Sequence, residues 1–142
     1  MDTVTVKWNG GRRFVGWDAE GHGVVMDAAR EFKGDGSGAR PIELALYALG
    51  GCTGIDVISI LEKARQHVVD FEVIITGTQR EEQPRIYSQV TIEYVVTGYD
   101  IGEAQVKRAV ELSEEKYCSV QGMFGPQVSV SSAYRIIEAQ QP

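Results

Sequence analysis

The sequence predicts an α+β domain of antiparallel sheets and two helices, on three observations. From Leu44 to Leu61 the chain is apolar or small on nearly every face, with Asp56 the one charged residue in that run. Segments with period-two alternation lie on both sides of it, the pattern of half-buried strands. The elements also come in runs, in the order βββ-α-ββ-α-β, rather than as alternating strand–helix units, which points to α+β rather than α/β.

Residues 3–8 alternate as Thr-Val-Thr-Val-Lys-Trp, and Asn9-Gly10-Gly11 is a hairpin turn. Arg12 to Trp17 is the returning strand, and Val24 to Asp27 a short third one, so residues 1–27 form a meander. The stretch Lys33-Gly-Asp-Gly-Ser-Gly38 is a flexible polar loop by composition. A helix over 41–68 follows. Pro41 sits where a helix tolerates the missing N–H, and Glu43 lies in the first turn, where a negative charge suits the dipole. At 1.5 Å per residue this rod is roughly 40 Å long, and a helix apolar all round is a buried one. A long hairpin is expected over 69–97, an amphipathic second helix over 103–117, and a last strand over 127–137. One sheet cannot cover both sides of such a rod, so a second copy of the chain is expected to do so, as a homodimer.

The 142 residues are read as a single domain, 1–142, with an ordinary 43% of hydrophobic and 24% of charged residues. The net charge of −6 argues against nucleic acid and anionic membranes as partners, since both require clustered Lys and Arg. A membrane span over the central helix is disfavoured by Asp56 at mid-span and by the lack of flanking basic clusters. The first residues lack the basic start and apolar core of a signal peptide, so the expected compartment is the cytoplasm, where thiols stay reduced.

The candidate chemistry centres on Cys52. Most buried cysteines are small core residues, but Gly50, Gly51 and Gly54 surround this one. A glycine within a helix costs about 1 kcal/mol relative to alanine, so three together imply close approach by another helix or a substrate. Ala45, Ala48, Leu49, Ile55, Asp56 and Ser59 share the face of Cys52. That face suits an apolar ligand better than a metal. Asp56 would raise the thiol pKa if close and charged, and is expected instead to pair with an arginine. Cys118 is the only other cysteine. With no CxxC spacing and only His22 and His67, neither a structural zinc nor another cofactor is expected. A reactive thiol needs its thiolate stabilised, and Arg12, Arg13, Arg40, Arg80 and Arg85 are the candidate cations.

The run Pro41-Ile-Glu43-Leu-Ala-Leu-Tyr-Ala-Leu-Gly-Gly-Cys52, together with Glu-Lys-Tyr-Cys118-Ser-Val, resembles the OsmC/Ohr family, in particular its YhfA-like branch. The likeness extends from Val4 to about Ile137 and includes the charged turn at 77–84 and Thr97-Gly-Tyr-Asp100. It implies the OsmC-like fold, an intertwined homodimer with central helices packed against two sheets and the active site at the interface. It also implies thiol-dependent reduction of small organic hydroperoxides. In that chemistry Cys52 attacks the peroxide, Cys118 resolves the sulfenic acid as a disulfide, and a dithiol or a lipoylated protein restores the pair. Gly10-Gly11-Arg12 resembles the family hairpin that carries the catalytic arginine, which assigns that role to Arg12. Where the family has a glutamate directly after the proline, this chain has Ile42, with Glu43 one residue later as the candidate acid. The competing class is a redox-sensing or apolar-ligand-binding homodimer without turnover.

Overall fold

A computed structural model describes residues 1–140 and divides into two compact units, Met1–Ala45 and Leu46–Pro142. In the first, β1 (Val4–Trp8), β2 (Phe14–Asp18) and β3 (Gly23–Met26) form an antiparallel sheet in the order β1-β2-β3. The hairpin turn relies on Gly10 and Gly11, both at positive φ (85° and 55°). The indole N–H of Trp8 closes it on the Gly11 carbonyl at 2.9 Å.

The polar loop after β3 is not the flexible segment its composition suggests. Asp27 is buried, and its carboxylate accepts the backbone N–H groups of Ala28, Asp35, Gly36 and Ser37 at 2.8–3.1 Å. Arg13 reaches across to Asp35 (3.2 Å) and Ser37 (3.0 Å). Loop amides with no strand or helix to pair with are thus collected on one acid.

The second unit is built on α1 (Pro41–Lys63), which begins in the first unit. Its inner stripe, Leu49, Thr53, Val57 and Leu61, recurs every four residues and is buried. Gly50 and Gly54 face β4 (His67–Gln79): a Cβ at Gly50 would stand 3.3 Å from Ile75, and one at Gly54 would stand 3.5 Å from Val73. These two glycines let helix and strand approach. Gly51 meets nothing within 4 Å, and its neighbours on that side, Tyr47 and Ile55, are 63% and 67% exposed. By length and composition α1 could cross a membrane. Its Leu49–Leu61 stripe is instead packed within the chain.

The helix stops at Lys63, short of the expected 68. Arg65 adopts a left-handed φ of 58°, with Gln66 N–H bonded to Leu61 O (3.0 Å) and Arg65 N–H to Glu62 O (2.9 Å). This is a Schellman stop made without glycine, and it releases His67 directly into β4. The sheet has the order β4-β5-β6, with β5 (Tyr87–Tyr99) antiparallel to β4. As the central strand, β5 carries most of the core: Val90, Ile92, Tyr94, Val95 and Val96 are buried.

The sheets are mostly antiparallel, as expected; the exception is β6 (Ser129–Glu138), which runs parallel to β5. A crossover through a helix returns the chain in its original direction, whereas only a hairpin reverses it. That crossover contains α2 (Glu103–Leu112), which buries Val106, Ala109 and Val110, and continues as a π-helical segment, Ser113–Tyr117.

The amides around Asp27, that of Asp35 foremost, hold its carboxyl down to about 2. A depressed folded-state pKa stabilises the loop above the unfolded value of about 3.9 and loses that contribution as pH falls through about 2. In an NMR titration the Asp35, Gly36 and Ser37 amide resonances should therefore shift with a midpoint near 2. Asp27→Asn should abolish that titration and displace all three amides already at neutral pH.

Candidate functional site

Three side chains from two distant segments of the chain converge in the second unit. Cys52 and Asp56 lie one turn apart on α1, and Cys118 follows the π-helical segment. Their ligand atoms, two sulfurs and a carboxylate oxygen, all lie within 4.8 Å of one another. Both cysteines are free thiols. The π-helical segment is what aims the second one. Cys118 N–H donates to Ser113 O at 2.7 Å, spanning five residues instead of four, and the widened turn carries the chain out of the helix at Cys118. Such segments concentrate at functional sites.

The two thiols have different surroundings. Cys52 is half-buried, whereas Cys118 is buried and 7% exposed. Burial pushes the Cys118 thiol up to about 11; the Gln121 N–H, 3.4 Å from its sulfur, opposes this, and the neighbouring Cys52 and Asp56 add to it.

Asp56 does not pair with an arginine as the sequence suggests. Its Oδ2 accepts the Ser113 hydroxyl at 2.9 Å. Ser113 in turn meets Thr53 Oγ1 at 2.7 Å, Thr53 meets Tyr94 Oη at 2.7 Å, and Tyr94 donates to Glu114 at 3.2 Å. Ser113 and Thr53 are fully buried. Thr53, Tyr94, Ser113 and Glu114 carry no motif in the sequence that marks them as neighbours. The available signal was a hydroxyl next to Cys52 in a largely apolar run.

The remaining candidates have contacts of their own. Glu43 Oε1 accepts both the backbone N–H (3.2 Å) and the guanidinium Nε (3.0 Å) of Arg40. This is the return half of a capping box at the head of α1, and these Arg40 contacts, the backbone N–H first, lower the Glu43 pKa. Arg12 is exposed on the β1–β2 turn, with Nη1 3.3 Å from Gly11 O. Arg13 is occupied by Asp35 and Ser37, Arg80 bonds Pro84 O, and Arg85 bonds Arg80 O. Two thiols and a carboxylate are donors that zinc accepts, so this cluster, rather than any histidine site, is where a soft cation could be held.

The OsmC-like protein family model matches residues 34–133. Escherichia coli K12 Protein YhfA is 46% identical over 134 residues, covering 94% of this chain and 97% of that protein. The crystal structure of a hypothetical protein from Aquifex aeolicus VF5 superposes with a TM-score of 0.87 at 30% identity, covering 99% of this chain and 98% of the other. An organic hydroperoxide resistance protein OsmC from Legionella pneumophila shares the fold at a TM-score of 0.67, with 13% identity and coverage of 94% and 96%.

The contrast between the thiols can be read by alkylation. Iodoacetamide at neutral to mildly alkaline pH should label Cys52 well ahead of Cys118, as peptide mass spectrometry resolves. Cys118 labelling should rise only as pH approaches about 11. Equal labelling at pH 8 would contradict the placement of Cys118.

Proposed function

We propose that this chain, which belongs to the OsmC-like protein family, is a thiol-dependent reductase that converts organic hydroperoxides to alcohols. The observation that carries this reading is the convergence of Cys52 and Cys118, both free, within 4.8 Å. The order of events follows from their exposure. Cys52, the more accessible sulfur, meets the peroxide as thiolate and attacks the outer oxygen. The O–O bond breaks, the alkoxide leaves and is protonated to the alcohol, and Cys52 becomes a sulfenic acid. Cys118, kept as a thiol by burial, then attacks the Cys52 sulfur. The S–O bond breaks, water leaves, and a disulfide remains. A dithiol or lipoylated partner reduces it by exchange and is itself oxidised.

Arg12 is proposed as the cation that favours the thiolate and polarises the peroxide, on the strength of the Gly10-Gly11-Arg12 hairpin. Glu43 is the acid that fixes an arginine at the head of α1, and its proposed contribution comes through Arg40. The working unit is proposed to be a homodimer. Its support is the apolar surface left open in each unit: Tyr47, Gly51 and Ile55 on α1, and Val4, Val6 and Trp8 on β1. A shallow apolar cavity of about 280 Å³ between β1, β2, β3 and Leu44 adds to that surface.

One observation favours a second reading. A carboxylate rather than a cation stands beside the two thiols, as in a slowly reacting redox sensor. Turnover separates the two. With cumene hydroperoxide as substrate and dithiothreitol as reductant, a peroxidase consumes many equivalents and a sensor only one. In the peroxidase, Cys52→Ser should abolish consumption and Cys118→Ser should trap oxidised Cys52, detected by mass. Ile55→Asp should shift the native dimer toward monomer in size-exclusion chromatography with light scattering. A native protein that elutes as a monomer removes the dimer from the proposal.

A further inference from the structure

Cys52 and Asp56 stand four residues apart on α1, which sets both side chains on one flank of the helix. Cys118 comes from a distant segment, after β4, β5 and α2, and is delivered by the π-helical turn. Two sulfurs and a carboxylate oxygen thereby lie within 4.8 Å of one another. Among the described residues this is the one group of three such donors. A helix and a distant segment supply it together, so no CxxC spacing is required.

A tetrahedral zinc ion binds thiolate sulfur at about 2.3 Å and carboxylate oxygen at about 2.0–2.2 Å, which sets neighbouring donors roughly 3.6–3.8 Å apart. Closing the cluster by roughly 1 Å, a matter of side-chain torsions, therefore completes three bonds. The neighbours are those of a ligand set. Ser113 donates to Asp56 Oδ2 at 2.9 Å and orients the carboxylate. A carboxylate has lone pairs for about four partners, so it can hold Ser113 and a metal together. The Gln121 N–H lies 3.4 Å from Cys118 Sγ. The same residue carries, at Oε1, the one buried side-chain oxygen or nitrogen without a hydrogen-bond partner among the described residues. A buried acceptor that lacks a donor, on a residue bonded to the site, suits a metal-bound water. Cys52 and Asp56 are half-buried, and a Cβ at Gly51 would meet nothing within 4 Å, so the cluster is open from the exposed side of α1.

We propose that the reduced chain binds one Zn²⁺ through Cys52 Sγ, Cys118 Sγ and an oxygen of Asp56, with water in the fourth position. Thiolate donors select against Mg²⁺ and Ca²⁺, and the harder carboxylate oxygen favours Zn²⁺ over Cu(I). Three protein ligands and one exchangeable position make an open site rather than the closed one of a structural zinc. On binding, each S–H bond is replaced by an S–Zn bond and its proton leaves to solvent. The Cys52 lone pair is then withheld from electrophiles. A disulfide between the two sulfurs would leave only the carboxylate, so the reduced pair alone offers the site. Where the peroxidase reading holds, zinc is a reversible inhibitor that occupies the same thiols. The site itself does not rest on that reading.

The test uses the full-length chain, reduced, stripped with a chelator and moved into chelator-free buffer. Titration with Co²⁺ should raise sulfur-to-metal charge-transfer bands and the visible bands of a four-coordinate site, saturating at one equivalent per chain and bleached by Zn²⁺. Cys52→Ser and Cys118→Ser should each weaken the charge-transfer bands. Asp56→Asn should lower Zn²⁺ affinity, read by competition with a chromophoric chelator, by at least about tenfold, the low end of what even an outer-shell partner costs. His22→Ala, whose ring bonds Asp18 in the first unit, should change none of these. In the unsubstituted chain, saturating Zn²⁺ should largely suppress iodoacetamide labelling of Cys52, a readout that stands even if a variant fails to fold. Absence of the charge-transfer bands, Co²⁺ binding unchanged in Cys118→Ser, or Cys52 labelling indifferent to Zn²⁺ overturns the site. Metal binding in a chain that does not turn over peroxide leaves the site standing and removes the peroxidase. Turnover in a chain that binds no metal does the reverse.

Discussion

The structure depends on the junction at Thr53. This hydroxyl sits on the inner stripe of α1 and touches Tyr94 on the central strand and Ser113 at the end of α2. Three elements therefore meet at one buried oxygen. Leaving a buried donor or acceptor unpaired costs about 1–3 kcal/mol, so the junction also fixes rotation. α1 must present Thr53 inward, which sets Cys52 and Asp56 on the adjoining flank. α2 must bring Ser113 to the same point, and its π-helical end then delivers Cys118. The thiol pair is a consequence of that alignment.

The same arrangement separates the two sulfurs chemically. One end of the cluster opens toward the exposed side of α1, where Gly51 leaves room and Tyr47 and Ile55 face outward. The other end is closed over by the segment after α2, and burial is the largest cause that raises the Cys118 thiol. The two sulfurs are thus distinguished by access, although both are cysteines under 5 Å apart. Asp56 is tied through three hydroxyls to Glu114.

The first unit shows a different economy of polar groups. Its sheet exposes all of β1, and three short strands alone have little apolar interior to bury. Order in the following loop comes from one buried carboxylate, Asp27, rather than from a core. Glu43 does similar work at the head of α1, where it satisfies the N–H of Arg40. Both are acids used to collect backbone donors, and for Glu43 that role is visible at a position where catalysis was expected.

Much was legible in the sequence because it depends on local pattern. The apolar run gives α1, alternation gives the strands, Asn9-Gly10-Gly11 gives the first turn, and the motif around Cys52 with Cys118 gives the family. The stop at Lys63 was not legible, because a Schellman turn at Arg65 uses no glycine or proline. The direction of β6 was not either, since strand pairing is decided by where a crossover returns the chain. Nor was the partner of Asp56: a carboxylate one turn from a cysteine could face an arginine or a serine, and only packing chooses. The sequence by itself determined which residues could carry chemistry and on which elements they ride. Tertiary structure decided which of them meet, because contacts between residues distant along the chain depend on helix rotation and strand order, to which local periodicity is blind.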